Sequence, residues 1–101
     1  MASKLINSSG KVTQLRVIET GGRHGPPGDQ IDVEVIVQLS SHPDRSMGFK
    51  LREDEDRFAH QAMFDLLRDA FANNFTAHLD YSIDLDAGKK NGLILRVWLT
   101  R

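Results

Sequence analysis

Stretches in which apolar and polar residues alternate make up most of this chain. Three such stretches come first, one stretch with helical spacing follows, and two further alternating stretches end the chain. Alternation at every second position predicts half-buried β-strands, whereas apolar residues three and four apart predict a helix with one buried face. The pattern therefore predicts the order strand, strand, strand, helix, strand, strand.

The five predicted strands differ in how regularly they alternate. Residues 11–20 are rich in β-branched side chains, but their apolar positions change face midway, which favours a bulge or a bend. Residues 31–39 alternate clearly, residues 47–52 form a shorter third strand, and residues 75–85 and 93–100 form the last two. In this register Ile36, Ile94 and Trp98 face outward.

One apolar stripe along residues 58–71 predicts the helix. Its members are Phe58, Ala62, Met63, Leu66, Leu67, Ala70 and Phe71. Asp54 is placed to cap the first turn, and Asn73 and Asn74 tolerate the left-handed conformation that ends helices.

The connecting segments are rich in residues that interrupt regular structure. Residues 1–10 are predicted to be a loose polar lead-in, and residues 21–30, with four glycines and two prolines, a long exposed loop. Residues 40–46 form a turn cluster, and residues 86–92 a hairpin loop that ends in Asn-Gly.

These elements predict a single α+β domain, mainly β, that spans residues 1–101. Its architecture is a five-stranded barrel or a strongly curved antiparallel sheet, with one amphipathic helix between strands 3 and 4. Closure is favoured because strands two, four and five have eight or more residues, and closing the sheet removes edges that invite aggregation.

The order of elements over roughly residues 11–100 resembles the OB-fold, the oligonucleotide- and oligosaccharide-binding barrel. The long helix between strands three and four is also similar to that of the pentamer-forming B subunits of bacterial AB-type toxins. That resemblance implies self-assembly into a ring. Those subunits carry a disulfide, whereas this chain has no cysteine, and none of their sugar-contacting residues can be carried over by motif.

Composition narrows the class of protein further. The net charge of −1 provides no overall field to recruit a polyanion. A chain without cysteine has no disulfide and no thiolate metal site. No apolar run reaches the roughly seven residues of a secretory signal or the roughly 20 of a membrane span. We therefore expect a soluble, cytoplasmic protein that does not contact membranes.

Residues that could carry chemistry do not form a recognisable motif. The histidines His24, His42, His60 and His78 lack metal-ligand spacing, and the glycine-rich loop at residues 21–28 is followed by a strand, not by the helix that phosphate loops need. The acidic run at residues 53–56 is explained by helix capping and solvation. We expect no metal, no cofactor and no enzymatic activity.

Two groups of outward residues are candidates for binding. Ile36, Ile94 and Trp98 would form an apolar patch with Trp98 as its anchor, unless the helix or the N-terminal segment covers them. The patch would be an oligomer interface, or Trp98 would be a platform for a sugar ring. Arg16, Lys50 and Arg52 would instead form a face for anionic ligands, but no aromatic side chain accompanies them to stack on bases.

The sequence thus predicts a non-catalytic binding or assembly module that forms a homo-oligomer. The alternative is an oligonucleotide- or oligosaccharide-binding protein that uses its outer strand face.

Overall fold

The structure is a computed structural model that describes residues 4–101. In chain order its elements are β1 (Lys4–Val17), β2 (Arg23–His24), β3 (Ile31–Asp32), β4 (Val35–Leu39), β5 (His42–Phe49), α1 (Arg57–Asn73), β6 (Thr76–Ile83), a 3₁₀ turn (Leu85–Ala87) and β7 (Gly92–Thr100). No helix in this part of the chain has both the length and the apolar character needed to cross a membrane.

The five longer strands form one sheet whose hydrogen bonds run in a closed ring. The order is β1, β4, β5, β7, β6 and back to β1. The ring closes at β1 because this strand pairs twice, over Lys4–Lys11 with β6 and over Val12–Val17 with β4. The register shifts between Val12 and Gln14, which confirms the irregularity predicted for the first strand.

The sheet is mixed, so the predicted antiparallel sheet is wrong at one junction. β5 and β7 run parallel and are paired at two positions only, Met47 with Gly92 and Gly48 with Leu93. The reason is topological. β6 pairs with β1, and the hairpin after it turns β7 into the direction of β5.

The helix lies between the fifth and sixth strands of the chain, not between strands 3 and 4 as predicted. Among the five strands of the main sheet, the helix follows the third, as expected. The short strands β2 and β3 also precede it, and these two strands were not predicted. These short strands pair Arg23 with Asp32 and His24 with Ile31. The segment expected to be a long exposed loop is therefore closed at its base by a small hairpin.

The first strand begins at Lys4, so the predicted lead-in is wrong over residues 4–10, and residues 1–3 lie outside the described part of the chain. These polar residues form a strand because β6 offers them a hydrogen-bonding partner along their whole length. Ser8 is buried, and its hydroxyl lies 2.6 Å from the buried Tyr81 hydroxyl.

The main hydrophobic core fills the ring and the space beneath α1. Its strand residues are Val12, Val35, Val37, Leu39, Met47, Phe49, Ala77, Leu79, Tyr81, Ile83 and Ile94. From the helix, Met63, Leu67 and Ala70 are buried, whereas Phe58 is 89% exposed and Phe71 is exposed. The helix ends at Asn74, whose φ of 58° is left-handed, as the sequence predicted.

Candidate functional site: the free edge of β7

The apolar patch predicted from Ile36, Ile94 and Trp98 does not form. Ile36 is completely buried and Ile94 is 3% exposed, and they belong to two different hydrophobic clusters. Only Trp98, which is 40% exposed, stays at the surface. Neither Ile36 nor Ile94 is therefore available at the surface, and the predicted interface of these three residues is wrong.

Ile36 does lie on the outer side of the sheet, but a second small cluster covers it. Ile31, Val33 and Ile36 are buried together, with Ile18 packed against them. The sequence suggested one uninterrupted strand from residue 31 to residue 39. In the structure the strand breaks between β3 and β4, so that the β2–β3 hairpin folds over Ile36.

Ile94 points inward because of a one-residue bulge in β7. Tyr81 of β6 pairs with Ile94, whereas Asp80, the residue before Tyr81, pairs with Arg96. Leu95 is therefore the extra residue of β7. A shift of one residue exchanges the two faces of a strand. Ile94 is therefore buried, while Leu93 and Leu95, which were expected to face inward, are exposed.

Two of the three residues of the predicted basic face are neutralised by acids. Arg52 donates to Asp32 and Glu34 at 2.6 Å each, and the Lys50 ammonium lies 4.0 Å from Asp32. Arg16 is exposed further along β1 and pairs with Ile36 across the strands. The structure thus places one open cation, not a strip of three, on this face.

Glu34 organises the ion pairs from a buried position. Its side chain is 2% exposed and also accepts hydrogen bonds from the Gly21 and Leu51 amides, at 3.0 and 2.9 Å. Burial would raise the pKa of Glu34, but these amides and Arg52 favour the charged form more strongly, so that its pKa is lowered. The Arg52 hydrogen bond likewise lowers the pKa of Asp32. We interpret this cluster of ion pairs as the contact that holds the β2–β3 hairpin against the end of β5.

The surface that stands out is one edge of β7. On the side of β7 away from β6, β5 pairs only with Gly92 and Leu93. From Ile94 to Thr100, no strand of the described chain lies on that side. An edge of this kind presents unpaired main-chain amides and carbonyls, and such an edge is a template for another strand.

An aromatic pair stands on the outer face of this edge. The His78 imidazole and the Trp98 indole are stacked, with their ring centres 5.2 Å apart and their planes 4° from parallel. His78 is fixed by a 2.7 Å hydrogen bond between its Nε2 atom and the Thr100 hydroxyl. Because His78 on β6 covers one face of the indole, the other face looks past the free edge of β7.

Beside this pair, the polar side chains of the outer face are fixed by hydrogen bonds to Asp80. Arg96 donates to Asp80 at 3.1 Å, and Asn7 donates to the same carboxylate at 2.9 Å. The hydrogen bonds from Asn7 and Arg96 lower the pKa of Asp80. Arg96 is largely exposed, so its guanidinium keeps donors free beyond this contact.

A hollow lies near each end of the free edge. Near Leu95, a cavity of about 180 Å³ is lined by Phe49, Lys50, Asp56, His60, Leu93, Ile94 and Leu95. Near the chain end, a cavity of about 420 Å³ is lined by Phe75, Leu99, Thr100 and Arg101. Leu95 itself is 55% exposed. The edge therefore combines unpaired main chain, exposed apolar side chains and an apolar hollow.

His60 was expected to be an ordinary exposed helix residue, but it is half-buried against the core. Its ring centre lies 5.4 Å from that of Phe49, and its Nδ1 atom is buried without a hydrogen-bond partner among the described residues. The apolar stripe that predicted the helix does not indicate this packing, because it is centred on a different face.

Comparison with protein-family models, curated proteins and solved structures finds no match to this chain. We therefore base the functional proposal on the geometry of the free edge.

Proposed function

We propose that this protein is a non-catalytic assembly module that associates with copies of itself through the free edge of β7. The observation that carries the proposal is the run from Ile94 to Thr100, which has no strand partner on one side within the described chain. Natural proteins pair, cover or charge such edges, since an open one recruits other strands. Pairing with another copy satisfies the main chain and buries exposed side chains.

The side chains along this edge support the proposal. Leu93 and Leu95 are exposed on β7, and Trp98 presents one uncovered indole face. The bulge at Leu95 lies near one end, so the five residues from Arg96 onward keep a regular strand. Between Gly92 and Thr100 the only cationic side chain is that of Arg96, with Lys50 beside one end of the edge and Arg101 beside the other, which is modest protection for an edge of this length.

The fold on which the proposal rests is an OB-like barrel, and this assignment is itself proposed. Two observations support it: the closed ring of hydrogen bonds, and the helix that separates the first three main-sheet strands from the last two. Both agree with a five-stranded, partly open barrel. The cytoplasmic location expected from the sequence remains a prediction.

Light scattering behind a sizing column, at two protein concentrations, tests self-association. We expect a mass above the 11.3 kDa of one chain that rises with concentration. Leu95→Lys should return the protein to a monomer, because edge lysines oppose strand pairing. Leu85→Lys is the matched control, since Leu85 is exposed in the 3₁₀ turn and away from this edge. A wild-type monomer at both concentrations would contradict the proposal.

A second candidate function is favoured by the stacked pair His78–Trp98. An indole face beside hydroxyl and charged groups can pack on a sugar ring, and Thr100, Arg96 and Asp80 surround this one. Trp98 is the only tryptophan, so its fluorescence reports on the site directly. A saturable fluorescence change on titration with oligosaccharides, in Leu95→Lys as well as in wild type, would favour this alternative over assembly.

Nucleic acid is less well supported as the ligand of the outer strand face. Lys50 and Arg52 lie against Asp32 and Glu34, so little positive charge is left to neutralise phosphates. A salt-sensitive mobility shift that Arg16→Glu removes would reverse this judgement.

A further inference from the structure

We propose that two copies pair through β7 in an antiparallel manner, about a two-fold axis that passes beside Val97. This inference rests on the proposed self-association and goes further, because it names the partner surface and the register. The partner of the β7 edge is thus the same edge of a second copy.

Symmetry restricts how an edge can pair with itself. A two-fold axis relates two identical surfaces and closes the assembly at a dimer. When the axis is perpendicular to an edge strand, the two copies of that strand run antiparallel. In a parallel pairing of the same edges, a two-fold axis along the strands would place amides opposite amides and carbonyls opposite carbonyls, so the hydrogen bonds need an offset that breaks the symmetry. Symmetry therefore favours the antiparallel β7–β7 pair.

The side chains on the outer face select the register. With Val97 at the axis, Arg96 of each copy lies opposite the partner's Trp98. The guanidinium then meets the indole face that His78 leaves uncovered, and a cation beside an indole face is favourable. With the axis at Arg96, the two guanidinium groups would instead lie opposite each other, which like charges oppose.

The apolar hollow at the chain end agrees with the same register. With Val97 at the axis, Leu99 of each copy lies toward the partner's bulge, where Leu95 is the extra residue and is 55% exposed. Leu99 and Phe75 line the cavity of about 420 Å³ at the chain end, so the partner's Leu95 lies near this hollow. One register therefore brings an apolar side chain to the hollow and covers the indole.

The edge is long enough for a specific but modest interface. Seven residues from Ile94 to Thr100 span about 24 Å at the rise of an antiparallel strand. The area buried by main-chain pairing over this length is smaller than the roughly 800 Å² per partner of a standard interface, unless the flanking side chains also contribute. The approach of Leu95 to the hollow and the contact of Arg96 with Trp98 supply that contribution.

Single-cysteine cross-linking tests the register, since the chain has no cysteine of its own. Val97→Cys should form a disulfide-linked dimer under mild oxidation, because residues at the axis face their own copies with Cα atoms about 5 Å apart. Arg96→Cys and Trp98→Cys should each link at least five-fold less, since their Cα atoms would lie about 8 Å from their own copies. An equal mixture of these two variants should link, because residues 96 and 98 are opposite.

The outcomes separate the register from self-association. If light scattering shows a multimer while neither Val97→Cys nor the mixture links, the β7–β7 pair is wrong but self-association stands. Another edge would then form the interface, for example Lys4–Gly10 of β1, whose second side also has no strand partner in the described chain. Stronger linking of Trp98→Cys than of Val97→Cys would overturn the register. A monomer would overturn both proposals. Circular dichroism melting of each variant confirms that it folds.

Discussion

The hydrogen bond between Ser8 and Tyr81 provides a direct test of the strand that the sequence did not predict. Tyr81 is completely buried, and its hydroxyl lies 2.6 Å from the Ser8 hydroxyl and accepts a 2.9 Å hydrogen bond from Arg45. This contact exists only if residues 4–11 form a strand against β6. A measured coupling between Ser8 and Tyr81 therefore reports on the closure of the ring.

The expected magnitudes follow from burial and from the partners left behind. Tyr81→Phe removes two contacts of a buried hydroxyl and should lower the free energy of unfolding by about 1.5 kcal/mol. Ser8→Ala should cost about 1 kcal/mol. The double variant should cost about 0.5–1 kcal/mol less than the sum, because the shared bond can be lost only once. For a domain of this size, 1 kcal/mol corresponds to a shift in Tm of about 4–8 °C.

Urea unfolding of the four proteins of the cycle, followed by circular dichroism, measures these differences. Ser9→Ala with Tyr81→Phe is the matched control, since Ser9 is exposed and next to Ser8 on the same strand. Its effects should add within about 0.3 kcal/mol. Additive effects for Ser8 with Tyr81 would refute the contact, and with it the pairing of the first residues of β1 with β6.

Two further predictions concern the Glu34 cluster and the β5–β7 junction. Glu34→Gln should destabilise the protein by about 2 kcal/mol at pH 7, as it breaks a buried ion pair, whereas the control Glu53→Gln, on an exposed glutamate, should have little effect. Because folding lowers the pKa of Glu34, its contribution to the free energy of unfolding is present above pH 4.5, the ordinary value, and is lost as the pH falls through the folded pKa. The free energy of unfolding should therefore depend less steeply on acid pH in Glu34→Gln than in the wild type. Equal slopes for the two proteins would contradict this prediction. Gly48→Ala should lower the free energy of unfolding in urea by about 2 kcal/mol, since the added Cβ would meet the Val35 carbonyl and the Val33 side chain. The control Gly28→Ala, where the added Cβ lies in open space at a positive φ, should lower it less. The reverse order would refute the steric argument.

The sequence predicted most reliably the elements whose pattern is unbroken. In β6, alternation placed Phe75, Ala77, Leu79, Tyr81, Ile83 and Leu85 inside. The four alternate residues from Ala77 to Ile83 are buried, whereas Phe75 is only partly buried and Leu85, which lies beyond the strand, is exposed. The order of the five main-sheet strands and the helix was also predicted, although β2 and β3 were not, and Asn74 is the left-handed residue that follows the helix, as expected. These features are local, because alternation and left-handed tolerance are properties of neighbouring residues.

The features that the sequence missed depend on pairing between distant segments. The bulge at Leu95 is defined only against β6, yet it exchanges the faces of β7 and buries Ile94. The break between β3 and β4 likewise allows a hairpin to cover Ile36. A reading that assumes uninterrupted strands assigns these residues to the surface and assembles a patch that does not exist.

The candidate site could be predicted only in part. The exposure of Trp98 followed from alternation, and Trp98 belongs to the edge described here. The edge itself depends on where β5 stops pairing with β7, and β5 ends at Phe49, one residue after its last pair with β7. No single residue type encodes this position, although Gly48 and Gly92 lie at the two paired positions, where they pack closely against β4 and β6 respectively.

The double pairing of β1 has a consequence for the order in which the chain folds during synthesis. β1 leaves the ribosome first, but the strand that pairs with its first half, β6, begins more than 60 residues later. Contacts between such distant segments carry a large loop-closure entropy, and they form slowly. Until β6 has been synthesised, the nascent chain holds only the β1–β4–β5 meander, and β5 and the first half of β1 lack the strand partners that they have in the finished domain. The free edges of the finished domain are thus what remains of a greater exposure to strand pairing, which ends only when the nine-residue β7 pairs with β6 and β5.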